Sequence, residues 1–170
     1  LMKKISIIIF ILFFYEKPLK ADAYFLDFKF ILNQSDAGKK AQNYLKSTLD
    51  KGIKDLTDRE KKLQGEEKKI IQQKKIISAE EYKKKIADLR IQVTSLQKDR
   101  NKLLETISRK RNKARSELLK ALNPIVKSYM EEQKIRIVID KKNILLGDEN
   151  LDITKSIMTL LNQRLKTIKL

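Results

Sequence analysis

The sequence predicts an α+β protein: a long antiparallel helical hairpin, built as a coiled coil, standing on a small β-body that carries a C-terminal helix. Three observations predict it. Turn formers are scarce, with 4 Gly and 2 Pro in 170 residues, while 36% of residues are charged; that balance favours long helices over a sandwich, a barrel or a doubly wound sheet. Apolar residues between positions 36 and 133 recur every seven residues. The β-branched and aromatic runs lie only towards the two ends.

Composition also removes most chemistry. The chain has no Cys and no His, which excludes thiolate nucleophiles, His-based acid–base catalysis, zinc fingers and haem ligation. Gly38, Gly52, Gly65 and Gly147 lie too far apart for a phosphate-binding loop. No cofactor is expected. The net charge is +17, a field that attracts nucleic acid, anionic lipid or acidic protein without choosing among them.

Residues 1–23 read as a secretory signal peptide. Met2-Lys3-Lys4 supplies the basic start, Ile5 to Tyr15 the apolar run, and Ala21-Asp22-Ala23 the small-x-small pattern. A membrane-spanning helix needs ~20 apolar residues, and Glu16, Lys17 and Pro18 end this run too early. Cleavage is expected after Ala23, with Ala21 as the alternative. Four Lys and two acids leave with the segment, so 17 less 2 gives a mature charge of +15. Export removes cytosolic DNA and nucleotide as partners, and leaves exported proteins and anionic envelope lipid.

The arm is assigned to residues 36–133. Leu49, Leu56, Leu63, Ile70 and Ile77 mark its first helix. Tyr82, Ile86, Leu89, Val93, Leu96, Arg100, Leu103 and Ile107 mark its second, alternating by four and three. A strict repeat of 3.5 residues specifies a narrow seam and a left-handed supercoil. Ser78-Ala79-Glu80-Glu81 has the form of a capping box that opens the second helix. Folding the arms head to tail sets Ile77 against Tyr82, Ile70 against Leu89, Leu63 against Leu96 and Leu56 against Leu103. The neighbouring seam then sets Ile53 against Ile107 and Glu60 against Arg100. The one charge interrupting the second stripe thus meets its opposite, a pair suited to holding register more than to adding stability. From Asp36 to Ser78 the first arm would reach ~65 Å. Gly52 and Gly65 should weaken it by ~1 kcal/mol each relative to Ala, and Pro124 should kink the second helix near its root.

The body is assigned to residues 24–35 and 134–170. Tyr24–Phe30 and Ile135–Asp140 read as strands, Lys141-Lys142-Asn143 as a turn, and Ile144–Gly147 as a third short strand. Asp152 is placed to cap a last helix from Ile153 to about Lys166. So small a body buries little apolar surface alone; second and third copies could complete it.

This order of elements resembles the Skp/OmpH family of periplasmic chaperones. The matching stretches are FILNQSDAGKKAQNYL (30–45), ISAEEYKKK (77–85), NPIVKSYMEEQKIRIVID (123–140) and LDITKSIMTLLN (151–162), with Asp152-Ile153-Thr154 the most specific. The resemblance implies a homotrimer, a β-body with three hairpin arms around a cavity. It implies ATP-independent holding of unfolded outer-membrane proteins in the periplasm. Some members are associated with lipopolysaccharide, but no basic cluster of this chain maps onto such a site residue by residue.

Candidate client contacts are apolar residues off the seam, Ile71, Ile76, Ile91 and Leu104, together with the cations Lys83, Lys84, Lys85, Arg90, Lys98, Arg109, Arg111 and Arg115. Many weak contacts acting together retain a client without a nucleotide-driven lock. Two other readings compete. A basic nucleic-acid-binding protein would explain the charge but not the export segment, and the arm has little aromatic interleaving for base stacking. A structural coiled-coil spacer of the envelope would explain the arms but not the body. No enzyme is expected: the adjacent acids Asp148 and Glu149 sit in a short turn, where carboxylates cap or solvate.

Overall fold

The computed structural model describes residues 23–170, so the signal-peptide reading, apart from Ala23 itself, lies outside the described residues. The chain runs β1 (Ala23–Leu26), α1 (Phe28–Gln34), α2 (Asp36–Gln73), α3 (Ala79–Glu132), β2 (Ile137–Asp140) and α4 (Thr154–Arg164). Single 3-10 turns occupy Lys141–Asn143 and Glu149–Leu151. β1 and β2 pair in parallel, Ala23 opposite Ile137 and Leu26 opposite Asp140. Parallel neighbours need a long crossover, and here the crossover is the whole hairpin.

Two strand expectations are corrected. The first strand stops at Leu26 instead of Phe30 because the Asp27 carboxylate accepts from the Phe30 amide at 2.7 Å and starts α1. Ile144–Gly147 forms no strand: the Lys142 amide turns back on Asp140 Oδ1 at 3.2 Å, and the segment then leaves the sheet with Leu145 and Leu146 95% and 90% exposed. Among the described residues the sheet has two strands, not three.

One core joins the body to the root of the arm. Ile31 of α1, Leu118 of α3 and Ile157 and Leu161 of α4 are fully buried, and Leu26, Ala37, Leu122, Ile125, Ile135 and Ile153 complete the cluster. The body is therefore not left to its strands and last helix, because the first turn of α2 and the last turns of α3 supply much of its interior. Four polar devices seat these elements. Ser35, fully buried, caps α2 by accepting from the Gly38 amide at 3.2 Å. The Asp36 amide donates to Asn162 Oδ1 at 2.9 Å, fixing α2 to α4. α3 ends with Lys134 at φ 56°, the Ile135 amide reaching the Met130 carbonyl at 2.8 Å, which is a Schellman termination on a residue other than glycine. Pro124 lies exposed within α3, which stays helical through it; water can serve the Lys120 carbonyl that loses its amide partner.

The fourth device is Asp152. It does not cap α4 from the expected position, since the helix starts at Thr154 and Ile153 is the capping residue. Instead Asp152 Oδ1 accepts from the Thr154 amide at 2.9 Å, Oδ2 accepts from Lys141 Nζ at 2.7 Å, and Thr154 Oγ1 accepts from the Asp27 amide at 2.8 Å. The Ile153 amide donates to the Phe25 carbonyl at 3.0 Å. Asp152-Ile153-Thr154 thus clamps α4 to the end of β1. Burial pulls the Asp152 pKa up, but the hydrogen bonds from Lys141 and Thr154 outweigh it and leave the carboxyl below its ordinary value.

Along the arm, Leu56, Leu63 and Ile70 bury against Leu89 and Leu96, with Tyr82, Ile86 and Leu103 packed beside them. α2 ends at Gln73, one turn short of the expected Ser78, so Ile77 lies in the connecting turn and outside the seam. Ser78 caps α3 through the Glu81 amide at 3.2 Å, while the Glu81 carboxylate faces Lys85 at 3.5 Å. Gly52 has a packing role: a Cβ there would lie 2.6 Å from Leu103 Cδ1.

The glycines separate experimentally. Gly65 has open space where a Cβ would go, so Gly65→Ala should stabilise the arm by up to ~1 kcal/mol. At Gly38 a Cβ would overlap the Leu32 carbonyl oxygen and lie 2.9 Å from Ser35 Oγ; Gly38→Ala should destabilise by ~1–3 kcal/mol. Thermal melts followed by circular dichroism check both signs. A carboxylate with a depressed folded pKa stabilises fully above its unfolded pKa and loses that contribution as pH falls through the folded one. Asp152→Asn should therefore lower the melting temperature at neutral pH, with the gap to the parent closing below pH ~4. A gap independent of pH would show that the charge of Asp152 contributes nothing.

Candidate functional site

The two flanks of the hairpin differ. On one, Arg59 Nη1 lies 2.7 Å from Asp99 Oδ2, and Lys85 Nζ donates to Gln73 Oε1 at 3.0 Å. A shallow groove of about 300 Å³ near the tip of this flank is lined by polar side chains apart from the seam residues Ile70 and Leu89. The opposite flank is open. Residues spaced by seven define its two walls: Lys46, Ile53, Glu60 and Glu67 on α2, and Arg90, Gln97, Leu104 and Arg111 on α3. Between them lies a groove of about 920 Å³ floored by Leu63, Ile86, Leu89, Val93 and Leu96. A second groove, about 660 Å³, lies on the same flank at the root, floored by Ala41, Leu45, Leu49, Ile107 and Ala114 and bordered by Lys46, Arg111 and Arg115.

This flank corrects the seam as read from the heptads. Ile53 and Val93 were expected to face inward, yet each is 50% exposed. The reason is geometric. A coiled coil covers its second column only where apolar side chains of both helices meet; towards the tip Glu60, Glu67 and Arg100 put charge there, whereas Ile107, nearer the root, is buried. Arg100 Nη2 lies 3.3 Å from Glu60 Oε2, with both side chains almost half exposed. Arg59–Asp99, one residue earlier on each helix, is shorter, and applying the same head-to-tail pairing to the flanking positions would have found it.

The candidate client contacts do not form one surface. Ile71 and Leu104, 57% and 56% exposed, belong to the open flank, since Ile71 follows Gln64 of the groove wall by seven residues and Leu104 follows Gln97 likewise. Ile91 lies on the back of α3, between Lys84 and Lys98 in heptad spacing. Ile76 is in the turn at the tip, 82% exposed. Of the cations, Arg90 and Arg111 border the two grooves and Lys83 continues their column towards the tip. Lys85 is engaged with Gln73 and Glu81 on the polar flank, and Arg109 projects from that side of α3 by heptad position. Arg115 sits over the Phe28 ring at 5.7 Å, tying the root groove to the body. Sequence reasoning missed Tyr44, whose hydroxyl accepts from Lys110 Nζ at 2.6 Å; that bond, with the lysine charge behind it, lowers the Tyr44 pKa.

Among the described residues no helix is long and apolar enough to cross a membrane, and no group of acids could hold a metal ion. A family model described as "Outer membrane protein (OmpH-like)" matches residues 23–161. The chain belongs to the OmpH-like family. The matched stretch starts with the first residue of β1 and ends at Leu161, the last fully buried residue of α4, so the OmpH-like part takes in the strand pair, the entire arm and the clamp at Asp152. Among solved structures, an OmpH-like candidate outer membrane chaperone from Caulobacter crescentus CB15 superposes with a TM-score of 0.82 at 21% identity, covering 87% of this chain and 88% of that one. At that identity the likeness establishes the fold. No curated protein matches the chain.

The Glu60–Arg100 pair is open to a charge-swap test. Exposed pairs of this kind are worth ~0.2–1 kcal/mol. Glu60→Arg and Arg100→Glu should each destabilise the arm, and the double swap should recover most of the loss in a double-mutant cycle. Additive losses would mean that the two groups do not hold register together.

Proposed function

We propose that this OmpH-like protein is an ATP-independent holdase of the periplasm. It binds unfolded outer-membrane proteins between basic helical arms and prevents their aggregation in transit. The observation that carries the reading is a long hairpin whose apolar residues are left half exposed on a strongly cationic surface, in a chain of this family. Each contact is weak, because a half-exposed side chain has less area left to bury. Many such contacts hold a client firmly yet release it when folding into a bilayer is more favourable. The reading needs no catalytic group and no nucleotide. The N-terminal basic-apolar-small pattern supports export, and the cationic surface suits anionic envelope lipid as a secondary partner.

A homotrimer completes the proposal. The outer edge of β2 is unpaired among the described residues. Beside it lies a groove of about 680 Å³ lined by Phe28, Leu119, Val126, Met130 and Ile137, and Leu145 and Leu146 stand almost fully exposed on the same body. An open edge and bare leucines are liabilities in a monomer; neighbouring copies would cover both and would set three arms around one cavity.

Dilution of a denatured outer-membrane β-barrel protein into buffer tests the holdase. The mature chain should suppress light scattering without nucleotide, more effectively at low salt. Sedimentation should find a trimer, and Leu145→Asp with Leu146→Asp should shift it towards monomer and weaken suppression. Failure of the parent to suppress scattering at any salt concentration would overturn the reading.

A further inference from the structure

We infer that the open flank of each arm is a track for one extended, alternating apolar segment of a client, about the length of a single membrane-spanning β-strand. The inference rests on the holdase reading and specifies where and in what form the client is held. The two grooves occupy one flank, and half-exposed Ile53 and Leu104 stand between them, one on each wall. From Lys46 to Glu67 the track runs ~32 Å along α2. A membrane-spanning strand of ~9–11 residues measures ~30–37 Å when extended.

The chemistry also fits. The floor is apolar from Leu49 to Val93 apart from the Glu60–Arg100 pair, and would take the side chains at every second position of the segment. Beyond that pair, the borders carry Lys46, Arg90, Arg111 and Arg115 against Glu67. This excess of cations suits the intervening polar positions and acidic ends of an extended chain. The opposite flank offers no such track: its groove is about 300 Å³ and, apart from Ile70 and Leu89, is lined by polar side chains. The track also separates the four apolar residues off the seam: Leu104 stands on it and Ile71 continues the same flank just past Glu67, while Ile91 and Ile76 lie elsewhere.

The probe is a synthetic peptide of about ten residues that alternates valine or leucine with threonine or serine and ends in aspartates. The triple variant Ile53→Ser/Val93→Ser/Leu104→Ser should lose about tenfold or more in affinity for it, with helicity retained by circular dichroism. Ile76→Ser/Ile91→Ser, which removes apolar surface elsewhere on the arm, should stay within about twofold. A photo-crosslinker placed at Gln97, on the track wall, should capture the peptide, and one at Lys98, the next residue but on the back of α3, should not; this pair tests the inference even if the triple variant unfolds. Equal losses from the two variants, or equal capture at Gln97 and Lys98, would overturn the track. So would equal binding of a peptide with the same residues arranged in blocks. If the parent suppresses aggregation while the triple variant does so equally well, the track fails and the holdase reading stands. If the parent neither suppresses aggregation nor binds the peptide, both fall.

Discussion

A pair of helices buries its second column of side chains only where apolar residues of both helices meet, and much of this molecule follows from how seldom they do along the outer arm. Leu56, Leu63 and Ile70 close on Leu89 and Leu96, and there is no third helix to cover what remains. The second column is left partly wet. On one flank polar side chains fill the gap; on the other, apart from the Glu60–Arg100 pair, apolar residues stay half exposed around a larger groove. An ordinary globular domain would treat such exposure as a defect. In the holdase proposed above, the same incomplete burial would supply apolar surface while the surrounding charge keeps the arm itself soluble.

A seam so thin cannot orient an arm of this length, so the orientation is set at the root. There α2 and α3 enter a true core, with Ile31, Leu118, Ile157 and Leu161 out of contact with water. The corners are held by short-range polar bonds: Ser35 to Gly38, Asp27 to Phe30, Asp36 to Asn162, and the Asp152 carboxylate between Lys141 and Thr154. Inserting the whole hairpin between two parallel strands brings both ends of the arm back to one platform. The stability of the molecule is consequently graded, firm at the platform and weaker towards the tip, where Lys74–Ser78 carry the chain around with few buried contacts.

Much of this was legible in residues. The heptads carried the arm, and the head-to-tail pairing that brought Glu60 to Arg100 came from numbering alone. Ser78 announced the start of α3 because a hydroxyl there has one obvious use. Other features were hidden because they depend on partners distant in the chain. Asp27 is a different case, a local capping signal that the aromatic run around it obscured: its carboxylate takes the Phe30 amide and ends the strand after four residues. Ile144–Gly147 is apolar enough for a strand, but the turn at Asp140–Asn143 carries it away from the free edge of β2. Gly52 looks like a weak point in a helix until Leu103 is seen to occupy the space a side chain would take.

The sequence by itself determined the mostly helical fold, the hairpin with its turn before Ser78, its cationic character and the first column of its seam. These depend on periodicity, charge and local capping, which are properties of neighbouring residues. Only the tertiary structure decided which flank of the hairpin is open, that Ile53 and Val93 stand half outside, that Ile71 and Leu104 share a face while Ile91 and Ile76 do not, and that the roots of the arm form the core of the body. Those outcomes depend on how two rods of fixed pattern settle against each other and against α4. A one-dimensional repeat specifies which residues face the partner helix, not how far that helix extends to cover them.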